Sequence, residues 1–168
     1  DKVARVVGLG YPGGPKIDKE AKNGQYNLHF VKKSDLDKTY NVSYSGLKTA
    51  VINYLHQQEQ KHQMINVADV ACSFEHEAVD MLVQKVIRAA KEYGFKTVAM
   101  AGGVAANSYL REQMSLACQK EGIELTYPAL ILCTDNGAMI GAEGYNNLIL
   151  GSNICYDLTL SPNPSLKL

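Results

Sequence analysis

Two features that would point to a nucleic-acid-binding or a membrane protein are missing from the sequence. Its 17 basic and 17 acidic residues leave no formal net charge, whereas domains that bind nucleic acid are usually basic. This composition argues against strong nucleic-acid binding by the chain, although it allows weak contact or contact shared with another subunit. No apolar run approaches the roughly 20 residues of a membrane-spanning helix, so we expect no association with a membrane.

Cysteines are few, and none belongs to a CxxC pair. The four are spread along the chain, at Cys72, Cys118, Cys133 and Cys155. Without paired spacing, a zinc knuckle or a thioredoxin-like redox motif is not expected. Cys72 and Cys118 fall within helical patterns, which favours reduced thiols and a cytoplasmic location.

The composition that is present is typical of a globular domain. Hydrophobic residues make up 46% of the 168 residues and charged residues 20%, so one domain with a hydrophobic core is expected. The chain opens directly in a helical pattern, with Val3, Val6 and Val7 on one face and nothing to cap it. We therefore expect residue 1 to lie in the middle of a longer protein, with further strands upstream.

The apolar patterns and turn residues predict helices alternating with strands, which indicates an α/β fold. Helices are predicted over 1–9, 15–21, 47–58, 66–93, 107–122 and 134–150. Strands are predicted over 26–31, 97–101, 123–127 and 130–133. The predicted helix caps are Asn66, Asn107 and either Thr134 or Asp135. Residues 1–150 form the predicted domain, and 151–168 form a C-terminal tail.

The sharpest local motif is Ala101-Gly102-Gly103-Val104-Ala105-Ala106-Asn107, between a predicted strand and a predicted helix. Such glycines let backbone N–H groups approach an anion, and a helix N-terminus adds partial positive charge. The motif is not a dinucleotide-binding GxGxxG, because a third glycine is missing, and no Lys-Ser or Lys-Thr makes it a Walker loop. It is compatible with phosphate or nucleotide binding, and also with a plain strand-to-helix turn.

Asp135 stands in a second strand-to-helix connection, Cys133-Thr134-Asp135-Asn136-Gly137. A carboxylate at the C-terminal end of a strand can reach the crevice in which α/β sheets bind ligands. There it can hold a divalent metal or a phosphate-bound magnesium ion. The alternative is a helix cap, whose side chain satisfies free backbone N–H groups.

Other candidates are weaker by themselves. Tyr11-Pro12-Gly13-Gly14-Pro15 is a tight turn before Asp18, and Tyr44-Ser45-Gly46-Leu47-Lys48 is a helix entry or a ligand loop. His76 and Asp80 have i, i+4 spacing, which favours an exposed ion pair over a metal site.

Four motifs in this order resemble the TsaD (Gcp) family, formerly called O-sialoglycoprotein endopeptidase. They occupy residues 11–15, 43–49, 101–107 and 133–139. Each is weak alone, but together they spread through most of the chain and are highly specific. The resemblance implies the actin-like or sugar-kinase-like ATPase fold, with this chain as the C-terminal lobe and without the first lobe.

The resemblance also implies a function, as the nucleotide-binding half of a tRNA threonylcarbamoyltransferase. Such an enzyme transfers threonylcarbamoyl from threonylcarbamoyl-adenylate to the adenosine beside the anticodon of ANN-decoding tRNAs. The implied partners are tRNA and subunits similar to TsaB and TsaE, and ATP or the adenylate is the implied ligand. The family positions that contact the adenylate match Asp1, Gly14, Asp18 and Asn107. Asp135 matches the family's ligand for a divalent metal, which is iron, zinc or magnesium.

The chemistry of these residues fits the implied roles. Gly14 and Gly103 let the backbone close on a nucleotide without a Cβ clash, and Asp1 and Asp18 are acceptors suited to ribose hydroxyls. The adenine amine is a poor nucleophile, so the carbonyl that it attacks needs polarising, which a metal can do as a Lewis acid. The sequence contains no HxxxH motif, which in the family supplies two histidine ligands from the first lobe. Catalysis by this chain alone is therefore not expected.

Three other functions stay open at this point. One is a nucleotide-binding or assembly lobe without chemistry of its own, another is a sugar kinase of the same fold, and the third is a zinc metallopeptidase. A peptidase needs a metal-activated water and a general base, and neither can be read from the sequence. The predicted strand 97–101 is apolar on both faces, so the isolated chain is expected to self-associate.

Overall fold

The computed structural model describes residues 1–31, 38–151, 161 and 165, and it is rich in helix. The helices in these ranges are α1 Lys2–Val6, α2 Gly13–Ala21, α3 Tyr44–Gln60, α4 Val67–Glu92, α5 Ser108–Glu121 and α6 Gly137–Ile149. The strands are β1 Thr97–Ala99 and β2 Glu124–Thr126, and the 3-10 turns are Gly103–Ala106 and Leu130–Leu132. The chain divides into two compact units, Asp1–Cys133 and Thr134–Leu168.

The long helix α4 is the central element of the first unit. It begins after Asn66, whose side chain accepts hydrogen bonds from the backbone N–H groups of Ala68 and Asp69. These bonds confirm the predicted cap, because they satisfy donors that have no partner within the first helical turn. The helix ends before Gly94, whose φ of 71° lies in the left-handed region that glycine adopts without strain.

Two hydrophobic clusters lie along α4, and together they form the core of the first unit. The first joins its N-terminal half to α1, α2 and α3, and its buried members are Val3, Ala4, Ile17, Ala21, Leu47, Val51, Leu55, Val70, Ala71 and Cys72. The second joins its C-terminal half to α5, and its buried members are Val79, Val83, Ala90, Leu110, Met114, Cys118 and Ile123. Because α4 belongs to both clusters, it determines where α2 and the start of α5 lie.

β1 and β2 pair in parallel, with α5 as the crossover between them. Thr97, Val98 and Ala99 pair with Glu124, Leu125 and Thr126 in register. The predicted strands 97–101 and 123–127 are thus confirmed as shorter ones, in keeping with the predicted α/β class. In both strands only the middle residue is partly buried, and the outer two are exposed.

The strand predicted over 26–31 is wrong, because these residues form no strand. The apolar side chains of Leu28 and Phe30 alternate as in a strand and pack against the first cluster. The backbone has no strand beside it in the described part of the chain. Its N–H groups donate instead to side chains of α4, so helix side chains take the place of a neighbouring strand.

The strand predicted over 130–133 is also wrong. Local hydrogen bonds from Leu132 N to Ala129 O and from Cys133 N to Leu130 O close a 3-10 turn there. The cap of α6 is Asn136 rather than Thr134 or Asp135, since its side chain accepts from Met139 N at 3.0 Å.

The first predicted helix is shorter than expected. α1 ends at Val6, because the chain turns at Gly8, which has a φ of 83°. The predicted tail over 151–168 and Cys155 lie almost wholly outside the described residues, so the division at residue 150 stays a prediction. No helix in the described ranges combines the length and the apolar character needed to cross a bilayer.

Candidate functional site

Asp18 of α2 and Asn107 at the start of α5 are in contact, although they lie far apart in the sequence. The Asn107 Nδ2 atom is 3.2 Å from Asp18 Oδ1. The same carboxylate oxygen accepts from the backbone N of Ser108 at 3.0 Å and from its hydroxyl at 2.7 Å. The structure thus brings together two of the predicted site residues and adds Ser108, which was not predicted.

Glu75 of α4 completes this cluster. Asn107 Nδ2 donates to Glu75 Oε1 at 2.6 Å, while Asn107 Oδ1 accepts from the backbone N of Leu110 at 2.7 Å. One amide therefore joins three helices and also confirms the predicted cap of α5. We call Asp18, Glu75, Asn107 and Ser108 the polar junction. Glu75 was not predicted, yet a signal existed, since an acidic residue interrupts the apolar face of α4.

The pKa values of the two carboxyl groups of the polar junction are shifted in opposite directions. Burial acts to raise the pKa of Asp18, but hydrogen bonds from Ser108 and the positive charge of Lys22 outweigh it and leave that pKa below its ordinary value. Burial raises the pKa of Glu75, and the negative charge of Asp18 adds to the rise against the hydrogen bond from Asn107. Asp18 is thus the anionic member, and Glu75 retains its proton more readily than an exposed glutamate.

Asp1 lies against the glycine turn. Its Oδ1 atom accepts a hydrogen bond from Gly13 N at 2.5 Å. A Cβ added to Gly13 would lie 2.5 Å from the Asp1 Cα, so this close approach requires glycine. Gly14 lies one turn before Asp18 on the same side of α2, and a Cβ there would meet nothing within 4 Å. The contact of Gly14 and Asn107 with one ligand, which the resemblance implies, stays a prediction.

The second glycine motif forms an exposed turn held in place by Arg111. Gly102 has a φ of 79°, and a Cβ on Gly103 would meet nothing within 4 Å. Arg111 Nε donates to Ala105 O at 2.5 Å, and Nη2 lies 2.8 Å from Pro128 O and 3.2 Å from Cys133 Sγ. Its guanidinium also lies 4.5 Å above the centre of the Tyr127 ring. The sequence did not lead us to predict a role for Arg111. The only indication was its position one helical turn after Asn107, on the same side of α5.

Asp135 alone does not form a metal site. In the part of the chain that the structure describes, no three His, Cys, Asp or Glu side chains come together as ligands. The residue lies in the second unit, directly before the Asn136 cap of α6. A catalytic zinc site, for comparison, has three protein ligands. The described residues therefore do not fit a complete metal centre.

His76 packs among aromatic rings. Its ring stacks on Tyr109 with centroids 4.1 Å apart, and the Tyr109 hydroxyl lies 3.0 Å from His76 Nδ1. Tyr26 packs near it at 4.8 Å. Burial lowers the pKa of His76 against the opposing charge of Asp80, so the neutral ring is favoured. The exposed ion pair predicted for His76 and Asp80 is thus replaced by a partly buried stack.

Comparison with known proteins identifies the family. A family profile described as TsaD, tRNA N6-adenosine threonylcarbamoyltransferase, matches residues 1–142. Proteins with that enzyme name from Clostridium botulinum (strain 657 / Type Ba4) and Caldicellulosiruptor saccharolyticus are 49% and 48% identical over 99% of this chain. One from Clostridium perfringens (strain ATCC 13124) is 47% identical over 100% of it.

Each of these matches covers 49% of the relative, so the chain spans about half the length of the curated relatives it matches. The four motifs that carried the resemblance lie within the matched residues 1–142. The chain belongs to the TsaD family of tRNA N6-adenosine threonylcarbamoyltransferases.

Proposed function

We propose that this chain forms the nucleotide-binding part of a tRNA threonylcarbamoyltransferase. In the proposed reaction, the N6 amine of the adenosine beside the anticodon attacks the carbamoyl carbon of threonylcarbamoyl-adenylate. The amine loses a proton, the bond from that carbon to the phosphate oxygen breaks, and AMP leaves. Family membership supports this reaction, which belongs to relatives twice as long as the chain.

The observation that carries the proposal is the contact of Asp18 with Asn107, one helical turn from Gly14. The anionic carboxylate of Asp18 offers an acceptor for a ribose hydroxyl, and Asn107, whose Nδ2 atom donates to Asp18 and Glu75, holds that carboxylate in place. Asp1 contacts Gly13, the residue before Gly14. The open backbone at Gly103 suits the approach of a phosphate. These groups together have the chemistry that a nucleoside phosphate needs.

The proposal also includes a metal and partners, for which the family resemblance is the support. Asp135 would serve as one ligand of a divalent metal only if histidines from outside this chain, such as the HxxxH pair of the family, completed the set. We likewise propose tRNA and subunits similar to TsaB and TsaE as partners of the full-length protein.

The test replaces Asn107 by alanine in the full-length protein with its partner subunits. Loss of the amide that holds Asp18 should weaken adenylate binding by about tenfold to a hundredfold, because the carboxylate is then less well placed for the ribose and a lost hydrogen bond to a polar ligand costs on the order of 1 kcal/mol or more. Calorimetry with ATP gives the affinity, and incorporation of labelled threonine into tRNA gives the activity. Asn53→Ala, on an exposed position of α3, is the matched control and should change neither.

Normal affinity and normal tRNA modification in Asn107→Ala would contradict the proposed site. A full-length wild-type protein that binds ATP but incorporates no threonine would favour the alternative, a nucleotide-binding or assembly lobe without chemistry of its own.

A further inference from the structure

Glu75 is an acidic side chain at a position where the helix pattern calls for an apolar one. It lies on α4 midway between Ala71 and Val79, which are both buried, and its own exposed fraction is 6%. A carboxyl group removed from water is stable only when it is hydrogen-bonded. Glu75 Oε1 accepts a hydrogen bond from the amide of Asn107 at 2.6 Å. A buried acid that touches a proposed ligand residue is a candidate for a functional role.

This contact determines how the Asn107 amide is oriented. Its Oδ1 atom is directed into the first turn of α5, where it accepts from Leu110 N. Its Nδ2 atom carries two hydrogens, and it has two acceptors, Glu75 at 2.6 Å and Asp18 at 3.2 Å. Replacing Glu75 by an apolar residue would remove the shorter of the two contacts and leave the amide less restrained.

Two carboxyl groups share this amide, and they cannot both be ionised without repulsion. Asp18 takes the charge, because Ser108 donates two hydrogen bonds to it and Lys22 Nζ lies 3.5 Å from its Oδ2. Burial and the charge of Asp18 then favour the neutral form of Glu75. The titratable groups that face Glu75 are Asp18 and Lys22 of α2, Tyr109 of α5 and Cys72 of its own helix.

We propose that Glu75 is a positioning residue of the nucleotide site, which holds the Asn107 amide against Asp18. The proposal rests on the proposed function, because that function gives Asn107 its ligand. Glutamine has nearly the shape of a neutral glutamic acid and offers the same acceptor, so it should replace Glu75 without loss.

The role depends on pH in a defined direction. The pKa of Glu75 in the folded protein lies above its ordinary value, so its contribution to stability is full below the ordinary glutamate range. That contribution is lost as the pH rises through the raised pKa, because a second carboxylate then forms beside Asp18. Nucleotide affinity should fall over the same pH range.

The test follows the NMR signal of the Asn107 side-chain amide in the natural full-length protein that contains this chain. From acidic to alkaline pH, this signal should shift with a titration above the ordinary glutamate range, and the shift should be absent in Glu75→Gln. Glu77→Gln is the matched control, since Glu77 is also buried on α4, with 8% exposed, but it contacts the backbone of Phe30 and Val31.

Binding of adenosine 5′-monophosphate is measured on the same proteins. Glu75→Gln should match the wild type at acidic pH and keep its affinity at alkaline pH, where the wild type weakens. Glu75→Leu should bind about tenfold more weakly than the wild type at acidic pH, where the contribution of Glu75 is full. If Glu75→Leu does not fold, Glu75→Gln decides the matter by its pH profile.

An Asn107 signal that still titrates in Glu75→Gln would overturn the positioning role, as would equal affinities of Glu75→Leu and the wild type. If no protein binds the nucleotide while Glu75→Gln abolishes the titration, the positioning of Asn107 stands and the proposed nucleotide site is wrong.

Discussion

At the scale of single residues, the side chain of Arg111 connects the glycine loop to the chain beyond β2. Its guanidinium donates hydrogen bonds to Ala105 O on one side and to Pro128 O and Cys133 Sγ on the other. A planar, forked group can make these bonds at once and lie over the Tyr127 ring, which an ammonium group cannot do. Arg111 therefore sets the geometry of the loop that carries Gly103.

Arg111→Lys should lower the free energy of unfolding by about 2 kcal/mol, because lysine keeps the charge but loses at least one of the hydrogen bonds. Denaturant unfolding followed by circular dichroism measures the change. Arg5→Lys, at an exposed position in the last turn of α1, should alter stability by less than about 0.5 kcal/mol. Equal losses in the two variants would show that the forked contacts contribute nothing specific.

At the scale of elements, a row of polar side chains along α4 accepts the backbone hydrogen bonds that a neighbouring strand would otherwise accept. Asp69, Ser73 and Glu77 follow one another at four-residue spacing, so they lie along one face of the helix. They accept from the backbone N–H groups of residues 25, 28, 30 and 31 at 2.8 to 3.1 Å. These four N–H groups are thereby satisfied without a neighbouring strand, whereas the exposed or part-buried backbone donors of a loop are otherwise left to water.

Glu77→Ala should destabilise the fold by about 1–3 kcal/mol, because the N–H groups of Phe30 and Val31 lose their acceptor while part-buried. Hydrogen exchange gives the sharper readout, since only these two amides should lose protection strongly. Ser73→Ala is the control, and it should affect the amide of Leu28 instead. Unchanged protection of residues 30 and 31 in Glu77→Ala would refute this account.

At the scale of the whole molecule, each of the two units exposes large apolar side chains. In the first unit, Leu130 and Ile131 are 62% and 82% exposed. In the second, α6 has no buried residue, and Ile140 and Leu148 are 75% and 65% exposed. Monomeric proteins rarely leave extended apolar patches in water, so these surfaces favour association.

We predict that residues 1–168, expressed alone, self-associate at micromolar concentration and modify no tRNA. Sedimentation velocity measures the association. Lysine at Ile131 or Ile140 should reduce it, because a charge within an apolar contact opposes burial. Lysine at Met64, which is 99% exposed in a loop, should not. A monodisperse monomer that modifies tRNA unaided would contradict both parts of the prediction.

The sequence by itself determined the helices, the caps of α4 and α5, and the family. Asn66 and Asn107 cap helices through backbone groups two or three residues away, so the information is local and can be read from neighbouring letters. The βα connection after residue 101 and the left-handed end of α5 at Gly122, with a φ of 65°, are local for the same reason. The family resemblance led us to expect Asp18 and Asn107 at one ligand, on opposite walls of a cleft, and their direct contact was not expected.

Only the tertiary structure decided the strands and the side chains that support the site. A strand requires a partner, so the alternation at Leu28 and Phe30 could not reveal that α4 would supply the acceptors. Residues 130–133 form a 3-10 turn because their hydrogen bonds close locally. Glu75 contacts Asn107, which lies 32 residues further along the sequence, and Arg111 contacts Cys133, which lies 22 residues further along. The first contact depends on how α4 packs between α2 and α5, and the second on how α5 lies beside the chain after β2, and no local pattern encodes either.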